Sequence, residues 1–167
     1  TLSLRKVVNG GTATPSQFTL TASGPTTISG PGNSASVTSQ RVNTGTYTLS
    51  ETTTGAYVQD GNWVCTGGTV TGNQVQVNDG ATVECTVTNR YSTGQLSVTK
   101  AVTGATSGFT GSATTAFTGV VTCTNPTATY NFSASTGTAW TSPQIPVGSI
   151  CQVTSEAPPS QTLLANT

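Results

Sequence analysis

Two runs of the chain, 2–8 (LSLRKVV) and 96–102 (LSVTKAV), alternate apolar and polar residues and place a lysine at the same point, Lys6 and Lys100. No other lysine occurs in the 167 residues. Alternation of this kind reads as a half-buried β-strand, in which residues i, i+2 and i+4 share a face. Leu2, Leu4 and Lys6 therefore point one way, and Leu96, Val98 and Lys100 do the same. A lysine aimed at a core is costly unless it is paired or chemically altered. The coincidence points to a tandem repeat and to a covalent cross-link as one way of accommodating the amine.

The rest of the sequence fits a chain built of strands. Val and Thr recur, Gly and Pro punctuate, and no stretch has an apolar period near 3.6, so no helix is expected. Only 6 % of residues are charged, the formal net charge is zero and histidine is absent. No basic surface exists to neutralise nucleic-acid phosphates or to meet an anionic membrane. No apolar run approaches the ~20 residues of a membrane helix. The chain does not begin with Met and shows no signal peptide, so it reads as a mature or partial form of a longer precursor.

Strands are expected at 2–8, 17–22, 26–29, 35–39, 45–51, 62–66, 74–77 and 82–89. Turn signals such as Asn9-Gly10-Gly11, Gly30-Pro31-Gly32-Asn33 and Asn78-Asp79-Gly80 separate them. Residues 91–94 read as a short linker, after which the pattern restarts with strands at 96–102, 115–124, 127–134 and 149–155. The expected organisation is two tandem all-β Greek-key sandwiches, 1–90 and 95–167, stacked as a semi-rigid rod. The second module is shorter after its acidic residue Glu156 than the first is after Glu51. It therefore lacks a closing strand, supplied either by chain beyond residue 167 or by a neighbouring subunit.

The four cysteines, without CxxC spacing or histidine, do not form a zinc set. The repeat boundary selects Cys65–Cys85 and Cys123–Cys151, one disulfide per module, and an oxidising, extracellular setting. Trp63, two residues before Cys65, is expected to pack on its disulfide, and Trp140 to serve core or turn packing. Asp60 and Asp79 stand alone in glycine turns, where turn chemistry explains them better than calcium. Neither a metal nor a cofactor is expected. With no histidine and few acids, catalysis on an external substrate lacks a base.

One constellation carries chemistry. Tyr47, Leu49 and Glu51 share a face of one strand, and Val83, Cys85, Val87 and Asn89 share a face of another. A sandwich pairing its first and last strands would gather Lys6, Glu51 and Asn89. Desolvation favours a neutral, nucleophilic lysine amine. A carboxyl group beside it can shuttle protons, and the Asn89 carboxamide offers an electrophilic carbon. The product would be a Lys6–Asn89 amide with loss of ammonia. Two plainer arrangements compete: a buried Lys6–Glu51 ion pair, or a lysine whose head reaches the sandwich rim.

The run Gly45-Thr46-Tyr47-Thr48-Leu49-Ser50-Glu51, the opening strand ending in Lys6 and the closing Thr86-Val87-Thr88-Asn89 resemble the prealbumin-like, collagen-adhesin B-type (SpaA-like) modules of bacterial surface adhesins and pilins. That resemblance covers residues 1–90. It implies a stalk repeat, often carrying an internal Lys–Asn isopeptide bond assisted by a Glu. The second half resembles a related cysteine-containing stalk module through Leu96-Ser97-Val98-Thr99-Lys100, Val121-Thr122-Cys123, Trp140-Thr141-Ser142-Pro143 and Ile150-Cys151-Gln152-Val153-Thr154. It departs in that Glu156 has the opposite strand parity to Cys151 and Val153, unless a bulge intervenes. Asn166 is its only counterpart to a closing asparagine, so Lys100 with Glu156 is the weaker cross-link candidate, and its partner asparagine would come either from this chain or from a neighbouring subunit that supplies the strand. The implied role is a non-enzymatic structural subunit of an extracellular filament, pilus or adhesin stalk. Its partners would be copies of itself or adjoining stalk modules. The alternative is an adhesive module binding a host protein, a glycan or a surface.

Overall fold

The computed structural model describes residues 1–101 and 116–157. The chain divides into two compact units, Thr1–Ser92 and Thr93–Thr167.

In the first unit nine strands follow in order: β1 (Leu2–Asn9), β2 (Thr19–Ser23), β3 (Ile28–Pro31), β4 (Gly45–Glu51), β5 (Tyr57–Gln59), β6 (Val64–Thr66), β7 (Thr69–Thr71), β8 (Gln74–Val77) and β9 (Val83–Tyr91). One sheet has the order β1-β9-β5, with β6 also on β9, and the other has the order β3-β2-β4-β8-β7. The chain crosses between sheets after β1, β4, β6 and β8, which makes the arrangement a two-sheet, all-β sandwich.

Alternation decides which side chains meet between the sheets. Leu2 and Leu4 from β1, Leu20 and Ala22 from β2, Tyr47 and Leu49 from β4, Val75 and Val77 from β8, and Val83, Cys85 and Val87 from β9 form one buried cluster. Burying each large aliphatic side chain contributes about 1.5–3 kcal/mol. First and last strands pair in parallel over eight residues, from Leu2 opposite Val83 to Asn9 opposite Arg90. Trp63 is buried in the same cluster, against which Cys65 also packs.

The second unit contains β10 (Thr93–Gly94), β11 (Ser97–Val98), β12 (Phe117–Thr124), β13 (Ala128–Ala134), β14 (Trp140–Thr141), β15 (Ile145–Pro146) and β16 (Ile150–Ala157). Strands β13-β12-β16 form one sheet, while β10 pairs with β15 and β11 with β14. Its core is small: Val121, Cys123, Phe132, Ala134 and Ile145, with Trp140 among the half-buried residues around it. The Trp140 and Phe132 rings lie 6.2 Å apart.

Several expectations differ from this fold. Segment 35–39 is not a strand but a short 3-10 turn at Ala35–Val37. Asn33 and Ser39 on either side have φ of 62° and 53°, which break extended geometry, and Val37 is buried by the turn. The strand expected from residue 17 starts at Thr19, because Pro15–Gln17 form another 3-10 turn. Of the four residues read as linker, Tyr91 ends β9 and Thr93–Gly94 form β10, leaving Ser92 between. The strand expected at 96–102 is reduced to Ser97–Val98 within the described residues. Strands β5, β7, β14 and β15 are two or three residues long, too short for alternation to reveal them. The missing closing strand, and Asn166 with it, concern residues outside those described.

Candidate functional site

Strand parity places Lys6, Glu51 and Asn89 on inward faces; the sandwich joins Lys6 to Glu51 and buries Asn89 on the strand beside β1. Lys6 is 1 % exposed and Asn89 is fully buried. Lys6 projects from β1 in one sheet, while Glu51 projects from the end of β4 in the other. The Lys6 Nζ donates to Glu51 Oε2 at 2.6 Å, and the two side chains are 0 % and 3 % exposed. This ion pair therefore ties the sheets across the interior.

Asn89 lies on β9, next to β1. Lys6 stands opposite Val87, and Val8 opposite Asn89. In a parallel ladder the residue two places along the neighbouring strand lies on the same face. Its Cα is about 8 Å away, given ~4.8 Å between strands and ~3.3 Å per residue. A lysine stem and an asparagine carboxamide together span that distance. Asn89 Oδ1, Asn89 Nδ2 and Glu51 Oε1 are all buried without a hydrogen-bond partner. Such groups cost about 1–3 kcal/mol each when left unmade. A carboxamide with neither its donor nor its acceptor satisfied, two residues along β9 from the position opposite a buried lysine, is the outstanding feature of the unit.

Electrostatics at Lys6 pull in two directions. Burial pushes its pKa below the ordinary 10.5, while the hydrogen bond and charge of Glu51 push it up; burial prevails. The amine is thereby biased toward its neutral, nucleophilic form. The Phe18 ring sits 4.6 Å from Nζ and meets Tyr57 edge-on at 5.6 Å. These rings form an apolar wall on one side of the site. Phe18, Tyr57 and Asn33, whose side chain bonds to the Lys6 backbone, were not evident in the sequence. Only tertiary packing brings them to Lys6; Asn33 could be read there solely as a turn residue.

Both disulfides join directly opposed residues. Cys65–Cys85 links β6 to β9, and Cys123–Cys151 links β16 to β12, each with a Cα separation of 4.1 Å. The first of these fastens the strand that carries Asn89.

Lys100 is half-buried, with its ammonium 4.5 Å from the Phe117 ring centre. In the β12–β16 ladder Val121 faces Val153, yet Val120 faces Ser155, so a bulge interrupts the strand at Thr154. The parity that separated Glu156 from Cys151 and Val153 does not run unbroken; Glu156 stands opposite Gly119. Asp60 forms an exposed pair with Arg90 at 3.8 Å. Among the described residues no group of His, Cys, Asp and Glu could hold a metal ion.

A family model described as a prealbumin-like fold domain matches residues 1–87, more than half of the chain. The chain belongs to this family. The prealbumin-like domain thus coincides with the unit that contains Lys6 and Glu51, and its match ends two residues before Asn89. A model of a domain of unknown function, DUF5979, matches residues 96–167. No curated protein and no solved structure matches the chain.

Proposed function

We propose that this protein is a load-bearing module of an extracellular bacterial surface stalk, pilus or adhesin, and that its prealbumin-like domain locks itself with a Lys6–Asn89 isopeptide bond. One observation carries the reading: a fully buried, unpartnered asparagine carboxamide on the strand next to a buried lysine that is already hydrogen-bonded to a carboxylate. Family membership and two disulfides support the surface setting.

The chemistry balances within the three residues. The Lys6 ammonium gives a proton to Glu51 through their 2.6 Å contact, leaving a neutral amine and a carboxylic acid. The amine lone pair adds to Cγ of Asn89, forming the N–C bond. Glu51 returns a proton toward Nδ2, and the C–N bond breaks with ammonia as leaving group. The amine's second proton is lost to the Glu51 carboxylate and balances the set. The product is a secondary amide, with no oxidant or co-reactant. Held in place, the partners need only a single turnover.

The mechanical consequence follows from topology. Force entering at the start of β1 and leaving at the end of β9 shears a parallel ladder of eight paired residues. A bond from Lys6 to Asn89 carries that force directly between the two strands and spares the chain between them. Neighbouring modules of the same stalk are the partners this role requires.

Single-molecule pulling of the whole chain tests the role. In Asn89→Ala the first unit can extend, except for the loop closed by Cys65–Cys85. Roughly 70 residues at ~3.3–3.6 Å each, less about 30 Å of folded end-to-end distance, give a step of about 200 Å. Native protein should lack that step. Its presence in both would refute the load path.

A further inference from the structure

The free edge of β1 is closed on the side away from β9, and at Lys6 a single side chain closes it. The Lys6 backbone N–H donates to Asn33 Oδ1 at 2.8 Å, and Asn33 Nδ2 donates to the Lys6 carbonyl at 3.1 Å. The asparagine amide thus occupies the place of a neighbouring strand. At the strand's beginning, Leu2 exchanges both backbone hydrogen bonds with Gln40.

The loop bearing Asn33 is built to press on Lys6. Asn33 has φ of 62°, a left-handed conformation that asparagine tolerates. The Gly32 N–H donates to the Phe18 carbonyl at 2.8 Å, fastening the loop to the residue whose ring lies against Nζ. A Cβ on Gly32 would stand 2.8 Å from Lys6 Cβ and 2.5 Å from the Pro15 carbonyl oxygen, so backbone lies directly over the lysine stem. Asn33 itself is exposed, and it therefore stands between solvent and a lysine that is 1 % exposed.

We infer that Asn33 is a positioning residue for the Lys6–Asn89 reaction: its two hydrogen bonds clamp the 31–34 loop over Lys6 and keep water from the amine. The inference rests on the proposed isopeptide chemistry. Without the clamp, the Lys6 N–H and carbonyl must find water, and the loop has no other side-chain tie to β1 at this point. Hydration of the stem favours the ammonium, which is no nucleophile. Glu51 of β4 is the charged group in contact with the amine. Asn89 of β9 and the Phe18 ring do not titrate in this range. The Tyr57 hydroxyl lies behind Phe18 and accepts from the Ala13 N–H. Arg5 and Glu84 pair on the outer face of the sheet.

The test uses the full chain made by cell-free synthesis, with ammonia loss followed by intact mass against time and pH. Asn33→Gly removes both hydrogen bonds without opposing the positive φ. Val75→Ala, in the core of the other sheet, serves as a stability control. In Asn33→Gly the pH midpoint of the bond-forming rate should rise toward 10.5, and the reaction at neutral pH should slow accordingly. Val75→Ala should keep the native midpoint. An unchanged midpoint in Asn33→Gly, or an equal shift in Val75→Ala, overturns the clamp. An unmodified mass in native protein would refute the isopeptide reading instead. The clamp is then judged by NMR titration of the Lys6 amine in Asn89→Ala, with and without Asn33→Gly. A midpoint raised by Asn33→Gly supports the clamp, and equal midpoints overturn it.

Discussion

Replacing Asn89 with alanine separates the two states of this domain by the sign of its effect. If Lys6 and Asn89 are bonded, the link closes a loop of roughly 80 residues, which restricts the unfolded chain by about 4–5 kcal/mol in the loop-entropy treatment. Removing it should lower the melting temperature of the first unit by about 20–35 °C, at ~4–8 °C per kcal/mol for a domain of this size. If the residues are not bonded, Asn89 holds two buried polar atoms without partners. Alanine then relieves a penalty of about 1–3 kcal/mol per group against a modest cavity cost, so stability stays level or rises. Scanning calorimetry of the intact protein and of Asn89→Ala reads the difference. A variant as stable as the native protein would refute the cross-link, whatever the geometry of the cluster.

Other consequences follow from the same cluster. In Asn89→Ala, Lys6 remains a titrating amine whose folded pKa is held below 10.5. Between that lowered value and 10.5 the unfolded chain binds more protons, so unfolding free energy should rise with pH across that window and level off above it. Denaturant melts at stepped pH would show the rise in the variant and its absence in native protein, where an amide no longer titrates. Glu51→Gln should give an unmodified mass, and a stability about 3–5 kcal/mol below that of Asn89→Ala, because the buried Lys6 charge loses its partner. Equal melting of the two variants would contradict a charged pair. Replacing Cys65 and Cys85 together by serine opens a loop of separation 20 and should cost up to about 3 kcal/mol in calorimetry. An unchanged melting temperature would show that the disulfide adds nothing once β9 is tied to β1.

Strand parity made the centre of the site legible. The runs ending at Lys6, Glu51 and Asn89 each alternate cleanly, and each ends on a polar residue that parity sends inward; the sandwich buries all three. The pairing of β1 with β9 could be reasoned from the same faces, because a polar trio of this kind needs one another. What could not be read depends on contacts between distant segments. Asn33 looks like a turn residue because its hydrogen-bonding partner is 27 positions away. Segment 35–39 alternates as a strand does, yet positive φ at Asn33 and Ser39 curls it into a 3-10 turn that buries Val37. Parity also fails where a strand is irregular. The bulge at Thr154 interrupts β16, so counting from Cys151 misassigns the register of Glu156.

The proposed bond makes Lys6 and Asn89 one covalent unit. High-resolution intact mass of the purified, disulfide-reduced chain, followed by sequencing of a proteolytic fragment, tests it most directly. A Lys6–Asn89 bond gives a mass short by one ammonia and a branched peptide joining the β1 segment through Lys6 to the β9 segment through Asn89. A mass equal to that of the unmodified sequence, with the two segments recovered separately, would contradict it.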